Sequence, residues 1–287
     1  MMAITKEENA LINAAVEQWR QGDFFLSDDL FFIHLADLAC PLTPEATEMA
    51  AERIETGENL EVEGVASTVC GYIVITQTCD IVRDCVARSH IQLSPLVAVE
   101  ATTLKETRLL RRPALAFVPG AADKNLVADL DRMITVEKSI LRGQTRVIGC
   151  HNDSEHRAFA DALARHRTRP AFPDDFNKCM RPVRDHLKKI HRNNDAEGLL
   201  IQSIGEIRVS ASPNWDVGQV EVFVWFILLD QVAAPSSDIS QYIDKWLALF
   251  ETSQKYSLEA IVCSLAEIKA SEYVCSDRLD LDQLSMS

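Results

Sequence analysis

The sequence predicts an α+β protein in two domains: a small β-barrel with helical insertions over residues 1–148, then an αα-ββαβ two-layer domain over 149–287. Three observations carry this. Before about Gly149 the apolar residues come in short runs punctuated by turn residues, the texture of a small barrel. After it, two amphipathic helical stretches precede a β-hairpin pattern, a further helix and a last strand. A chain of 287 residues with 47% hydrophobic content can also bury more than one small core.

The elements follow in order. Thr5-Lys6-Glu7-Glu8 has capping-box spacing, and Leu11, Ile12, Ala15, Val16 and Trp19 share one face, so a helix is expected from about 5 to 20. Gly22 ends it, and the aromatic run "DFFLSDDLFFIHLAD" predicts one or two strands. Thr43-Pro44-Glu45 reads as an N-cap with proline at the first helical position, opening a helix to about 54, and the acidic "ETGENLEVEG" reads as a surface turn. Strands are expected at 71–77 and 90–100, then shorter ones in "LLRRPALAFVPG" and "NLVADLDRMITVEKSIL", with a turn at Pro119-Gly120. Beyond Gly149, "DSEHRAFADALARHRT" is helical with Asp153 or Ser154 as cap, and "PDDFNKCMRPVRDHLKKIHRN" is helical with a kink or restart at Pro182. "EIRVSAS" and "QVEVFVWFILL" form a hairpin across "PNWDVG". Helix 238–252 and strand "LEAIVCSL" complete the second domain before the acidic "SDRLDLDQLS".

Charge and cysteines narrow the function classes. A net charge of −14 opposes one large nucleic-acid face and leaves room only for a local basic patch. The longest apolar run, "VFVWFILL", is less than half of the roughly 20 residues a membrane helix needs. The opening "MMAITKEENALINAA" lacks the pattern of a secretion signal, so a cytoplasmic location is expected. The eight cysteines contain no CxxC pair and read as reduced thiols. Cys150, His151 and His156 lack the paired spacing of a zinc site, so no metal and no cofactor is expected.

Three blocks in the first half carry a resemblance. "QGDFFL" at 21–26, "GYIVITQ" at 71–77 followed by "IQLSPLVAV", and "VADLDRMITVEKSIL" at 127–141 resemble, in that order, the opening Gly-Asp strand, central strand pair and closing strand of the MazF/PemK toxin endoribonucleases. The resemblance implies an SH3-like barrel of the kind shared with the CcdB toxins. It also implies a toxin–antitoxin or antiviral-defence setting. The family's cleavage chemistry is largely missing. Its arginine before the central strand falls on Cys70 or Gly71, its hydroxyl residue on Val97, and its closing-strand arginine on Asp129; only the closing-strand aspartate is matched, by Asp131. The acidic insertion before the central strand would repel RNA. Family members commonly dimerise through the barrel; the first helix here stands to block that contact, so a homodimer is left open.

The candidate catalytic residues are therefore Asp131, Asp80 and Cys79, the last two in "QTCD" after the central strand. There Cys79 can serve as nucleophile or Asp80 as base, with His90 or Asp131 approaching; equally, Thr78 and Asp80 can bond their own backbone in a turn while Cys79 fills a gap. The candidate nucleic-acid face is the basic run Arg165, Arg167, Arg169, Arg181, Arg184, Lys188, Lys189 and Arg192; the alternative is a solvated helix face. Trp215 at the hairpin tip is either an exposed partner anchor or a residue folded back on its own sheet. These readings lead to a barrel protein that binds nucleic acid, RNA before DNA, or a partner protein, with impaired ribonuclease activity. The alternatives are an endoribonuclease with a relocated site and a non-catalytic subunit of a larger complex.

Overall fold

The computed structural model describes residues 4–110, 112–168, 170–228, 238–251 and 253–279, and the chain divides into two compact units after Thr168. The first contains α1 (Lys6–Val16), β1 (Phe24–Asp37), α2 (Pro44–Thr56), β2 (Val62–Val74), α3 (Thr78–Ile81), β3 (His90–Ala98), α4 (Ala101–Arg108), β4 (Leu115–Phe117), β5 (Leu126–Asp129), β6 (Ile134–Glu137) and α5 (Asp153–Arg167). Local sequence fixes the helix ends. Thr5 accepts from the Glu8 amide while the Glu8 carboxylate takes the Thr5 N–H. Thr43 caps α2 ahead of Pro44, and Gly57 ends it at φ 71°, where a side chain would be strained. The segment expected as a surface turn is partly strand. β2 starts at Val62 because Val65, Ser67 and Val69 alternate inward against exposed neighbours.

β1 runs antiparallel to β2 from Phe24 opposite Ile73 to Asp37 opposite Val62, with a bulge between Leu26 and Leu30. β2 pairs β3 through Gly71–Val74, and the far edge of β3 is divided: β6 takes His90–Leu93 and β5 takes Leu96–Ala98. The sheet order is β1-β2-β3-β5-β4, with β6 beside β3. The fold is mixed α+β as expected, but the barrel is not closed. Among the described residues neither β4 nor β6 pairs with β1, since strands of three and four residues are too short to wrap around to it. What joins the ends is a single bridge, Phe24 to Val147, beside an ion pair between buried Asp23 and Arg146 at 2.6 Å.

Two cores sandwich this sheet. Phe24, Ile73, Leu96, Val118 and Leu130 pack on one side with Phe159 and Ala162 of α5; Val16, Trp19, Phe25, Tyr72, Ile81 and Ile91 pack on the other. The buried Phe159 is why α5 belongs to the first unit, and the division falls after this helix rather than at 148/149.

The second unit contains α6 (Asp174–Ile190), α7 (Ala196–Ser203), β7 (Ile204–Ser212), β8 (Val220–Leu228), α8 (Asp238–Leu247), β9 (Tyr256–Ser264), α9 (Ala270–Val274) and β10 (Asp277–Arg278). The sheet order is β10-β7-β8-β9, with β8 and β9 parallel across α8. α6 continues through Pro182 without restarting, its inward face (Phe176, Met180, Val183, Leu187) packed on Val209, Val222, Val224 and Phe226. Trp225, Ile227 and Cys263 form a smaller cluster on the other side of the sheet. The acidic tail contributes β10; the remainder of that tail lies outside the described residues. Among the described residues no helix is long and apolar enough to cross a membrane.

Gly71 permits the close approach of β1 and β2, since a Cβ there would stand 2.1 Å from the Phe25 carbonyl oxygen. Gly71→Ala is expected to destabilise the chain by about 1–3 kcal/mol through strand displacement, read as a lower urea midpoint against the exposed control Gly143→Ala.

Candidate functional site

The loop after β2 is assembled from side chains distant in sequence. Gln21 closes its start by donating its Nε2 to the Ile75 carbonyl at 2.8 Å, and its amide donates to Thr78 Oγ1 at 3.1 Å. Ile81 is buried and anchors the single turn of α3. Beneath it lies Lys138, only 1% exposed, whose Nζ donates to the carbonyls of Asp80 at 2.8 Å and Arg83 at 2.7 Å. A cation on carbonyls at the end of a helical turn meets their negative partial charge. Burial pushes the Lys138 ammonium below its ordinary value, while the nearby Cys85, Asp80 and Asp84 act in the other direction. From α1, Asn9 and Asn13 donate to the Asp84 carboxylate at 3.1 and 2.8 Å and hold it below the usual carboxylate range. The Cys85 amide returns a bond to Asn13 Oδ1 at 2.9 Å.

These bonds settle the arrangement around "QTCD". Cys79 is exposed, and among the described residues its Sγ meets the side-chain Oε1 of Gln77 at 3.8 Å. His90 bonds its neighbour Ser89 at 2.8 Å instead of approaching that thiol. Asp80 lies 3.5 Å from Arg83 and 3.7 Å from Arg88, in ion pairs within its own loop. A nucleophile needs a base within hydrogen-bond reach, and Cys79 has none among the described residues.

Asp131 occupies a separate place, the 3-10 turn Leu130–Arg132 between β5 and β6. His166 of α5 comes to 3.9 Å from its carboxylate, and the other ring nitrogen lies 3.3 Å from the Pro113 carbonyl. Beside it Asp129 pairs with Arg132 at 2.7 Å, and that guanidinium stacks over Phe32. Asp131 and His166 form the one carboxylate–imidazole contact at an expected catalytic position, longer than a hydrogen bond. Gly71 has no room for any side chain, Cys70 beside it is an exposed thiol, and Val97 is an apolar residue paired with Val127, so none of these positions carries a guanidinium or a hydroxyl.

The basic run does not form one surface. Arg165 and Arg167 belong to the first unit, where Arg165 donates to the Leu110 carbonyl and Arg167 to the Met133 sulfur at 3.3 Å. Arg169 lies outside the described residues. Arg184 is a correction to the expected face: it is buried at 4% exposure, one turn from Met180 and Leu187, with Nε on Asp185 at 3.2 Å. The remaining cations converge. Arg181, Lys188 and Lys189, joined by Lys178, fall within about 100° of the helical circumference, opposite the buried face and accompanied by Asp174 and Asp185, and Arg192 follows just past the helix end. Trp215 folds back, half-buried against Phe172, Phe176 and Tyr256 at ring distances of 5.7, 4.9 and 6.3 Å.

A partly buried polar cluster fixes α6 in place. Glu197 of α7 accepts from Trp246 Nε1 at 2.6 Å and lies 3.2 Å from both His186 and Lys245. Burial works to raise its carboxyl, and the hydrogen bonds from Trp246, His186 and Lys245 outweigh it, leaving the group below its ordinary value. Among the described residues no three His, Cys, Asp or Glu side chains converge as a metal cage. Cys150 is buried, its thiol pushed up to about 12 chiefly by desolvation, and His151 pairs with Glu155. Sequence reasoning missed Lys138 and Glu197; the one available signal was a lysine directly following a half-apolar strand.

No protein family, curated protein or solved structure matches this chain.

Two outcomes follow from these networks. Lys138→Met is expected to cost about 1–3 kcal/mol by taking the charged donor from the Asp80 and Arg83 carbonyls and to speed amide exchange across residues 78–89. For Glu197 the folded value lies below the unfolded one, so its stabilisation is complete above about pH 4.3, the unperturbed glutamate value, and is lost as pH falls through the folded value. Glu197→Gln should lower stability at pH 7 and flatten the acid limb of a stability–pH curve, measured by urea unfolding.

Proposed function

We propose that this chain is a non-catalytic binding protein whose second unit holds a nucleic-acid backbone, RNA before DNA, along the outward arc of α6. One observation carries the reading: within a chain of net charge −14, Lys178, Arg181, Lys188 and Lys189 gather on the outward face of α6, with Arg192 just past its end, while the opposite face is core. The stretch of α6 from Lys178 to Ile190 extends about 20 Å, enough to follow several phosphates of an extended strand. The Glu197 cluster supports it by tying the helix to α7 and α8 through His186, so that the cations are presented on a fixed element. That no described residue places a base beside Cys79 favours binding without cleavage, and the order of the blocks at 21–26, 71–77 and 127–141 favours RNA and a toxin-like or defence setting.

A second reading, an endoribonuclease with a relocated site, is favoured by the contact between Asp131 and His166 at 3.9 Å. An imidazole beside a carboxylate is a general acid–base arrangement once a substrate closes the gap.

Labelled single-stranded RNA and duplex DNA incubated with the full chain separate the two readings. RNA retention without cleavage is the expected result. Lys189→Glu with Arg192→Glu should lower the slope of log affinity against log salt by about 1.4, two single-strand phosphate contacts at ~0.7 each. Cleavage that disappears in Asp131→Asn and His166→Ala while retention persists would replace the binding reading with the nuclease.

A further inference from the structure

The β1–β2 ribbon has one bare face. β3 stops pairing with β2 at Gly71, so Leu30–Asp37 and 62–69 project past the sheet as a two-stranded extension. On one side α2 covers it, with Ala46 and Ala50 packed on Val65 and Leu38. On the other side Phe31, Ile33 and Leu35 stand at 56%, 64% and 79% exposure. The residues opposite them are Thr68, Ala66 and Gly64, so the apolar stripe is bordered by small uncharged neighbours. Isolated exposed apolar residues are ordinary; three at alternate positions of one strand form a continuous stripe.

The edge beside that stripe is also open. Apart from the bridge at Phe24, β1 pairs only with β2 among the described residues. The Phe31 carbonyl is taken by the Tyr72 hydroxyl and the Asp37 carbonyl by the Cys40 amide; between them, an edge without a strand partner and with apolar side chains at period two is the template for strand addition.

Charge selects the occupant. From Phe24 to Val74 the sequence carries ten carboxylates and one cation, Arg53, which is itself paired with Glu58 and Glu63. A second copy would bring the same excess of negative charge to its twin, and a phosphate backbone would be repelled in the same way. An extended chain of opposite sign is favoured.

We propose that the β1 edge binds an extended segment of a basic partner protein, which adds as a strand along residues 30–37. Alternate apolar side chains of that segment lie against Phe31, Ile33 and Leu35, and lysine or arginine at its ends faces the carboxylates. This surface is distinct from α6 and does not depend on what α6 holds.

The test titrates the full chain into a fluorescein-labelled peptide of valines alternating with threonines between lysine pairs, followed by anisotropy. Companion peptides replace the lysines by glutamates or carry N-methylated valines. Saturable binding of the lysine peptide is expected, weaker by about tenfold or more for both companions and for Ile33→Asp, and retained by Ile33→Val. Ile33 is exposed, so an unchanged melting temperature checks that Ile33→Asp remains folded. Failure of the lysine peptide to saturate, or equal binding of the glutamate peptide, overturns the proposal. A dimer in sedimentation that Ile33→Asp disperses would assign the face to a second copy, and displacement of the peptide by single-stranded RNA would assign it to a polyanion; either result also overturns it.

Discussion

β3 changes partners at Ser94-Pro95, and the first unit is arranged around that change. Proline has no N–H to offer a ladder, and it sits where the outer edge passes from β6, which ends at Leu93, to β5, which begins at Leu96. Ser94 repairs the seam by donating its hydroxyl to the Asp129 carbonyl at 2.7 Å. Because two short strands splay from one edge, the 3-10 turn between them carries Asp131 and Arg132 to the margin of the sheet. The same splay keeps the sheet open, its ends bridged by Phe24 with Val147, the Asp23–Arg146 pair and Arg132 stacked over Phe32.

Lys138 extends the consequence to the loop above. It directly follows β6, so the register of that strand against His90–Leu93 decides where its ammonium reaches. Satisfied by two carbonyls and flanked by the Asn9–Asn13–Asp84 cluster, the loop is a framework, and its polar side chains face one another. A polar tetrapeptide after an apolar strand is thus accounted for by backbone satisfaction. In the second unit Glu197 has the corresponding place, a partly buried carboxylate bonded by donors from neighbouring helices.

Much of this was legible in the sequence where a signal is local. The capping box at Thr5, the Thr43-Pro44 start, the hairpin across "PNWDVG" and the final β-α-β order are each written in adjacent residues. The outer half of β2 was hidden because its inward residues include Ser67 and its outward ones Gly64 and Ala66, which leave little apolar alternation to count. α7 was hidden by Gly198, a poor helix former kept because a Cβ there would meet the Asn193 carbonyl oxygen at 2.3 Å. Arg184 was misread as part of a charged run, although its helical spacing from Met180 and Leu187 already placed it on the inward arc. The meeting of Asp131 with His166, and of Lys138 with the loop, depends on tertiary approach between segments that no periodicity links.

The parallel pairing of β8 with β9 has a consequence for how the chain is made. β8 is a central strand, yet the partner on one of its edges, β9, comes later in the chain, after α8. Between the synthesis of Leu228 and that of Ser264 the nascent chain therefore holds "VEVFVWFIL" with an unpaired edge, for roughly 2 to 7 s at elongation rates of about 5–20 residues per second. Such an apolar strand is a natural client for a chaperone during that interval. Slow codons between these two strands would lengthen the exposure, so production of the protein is sensitive to translation speed at a place that no contact in the finished molecule reveals.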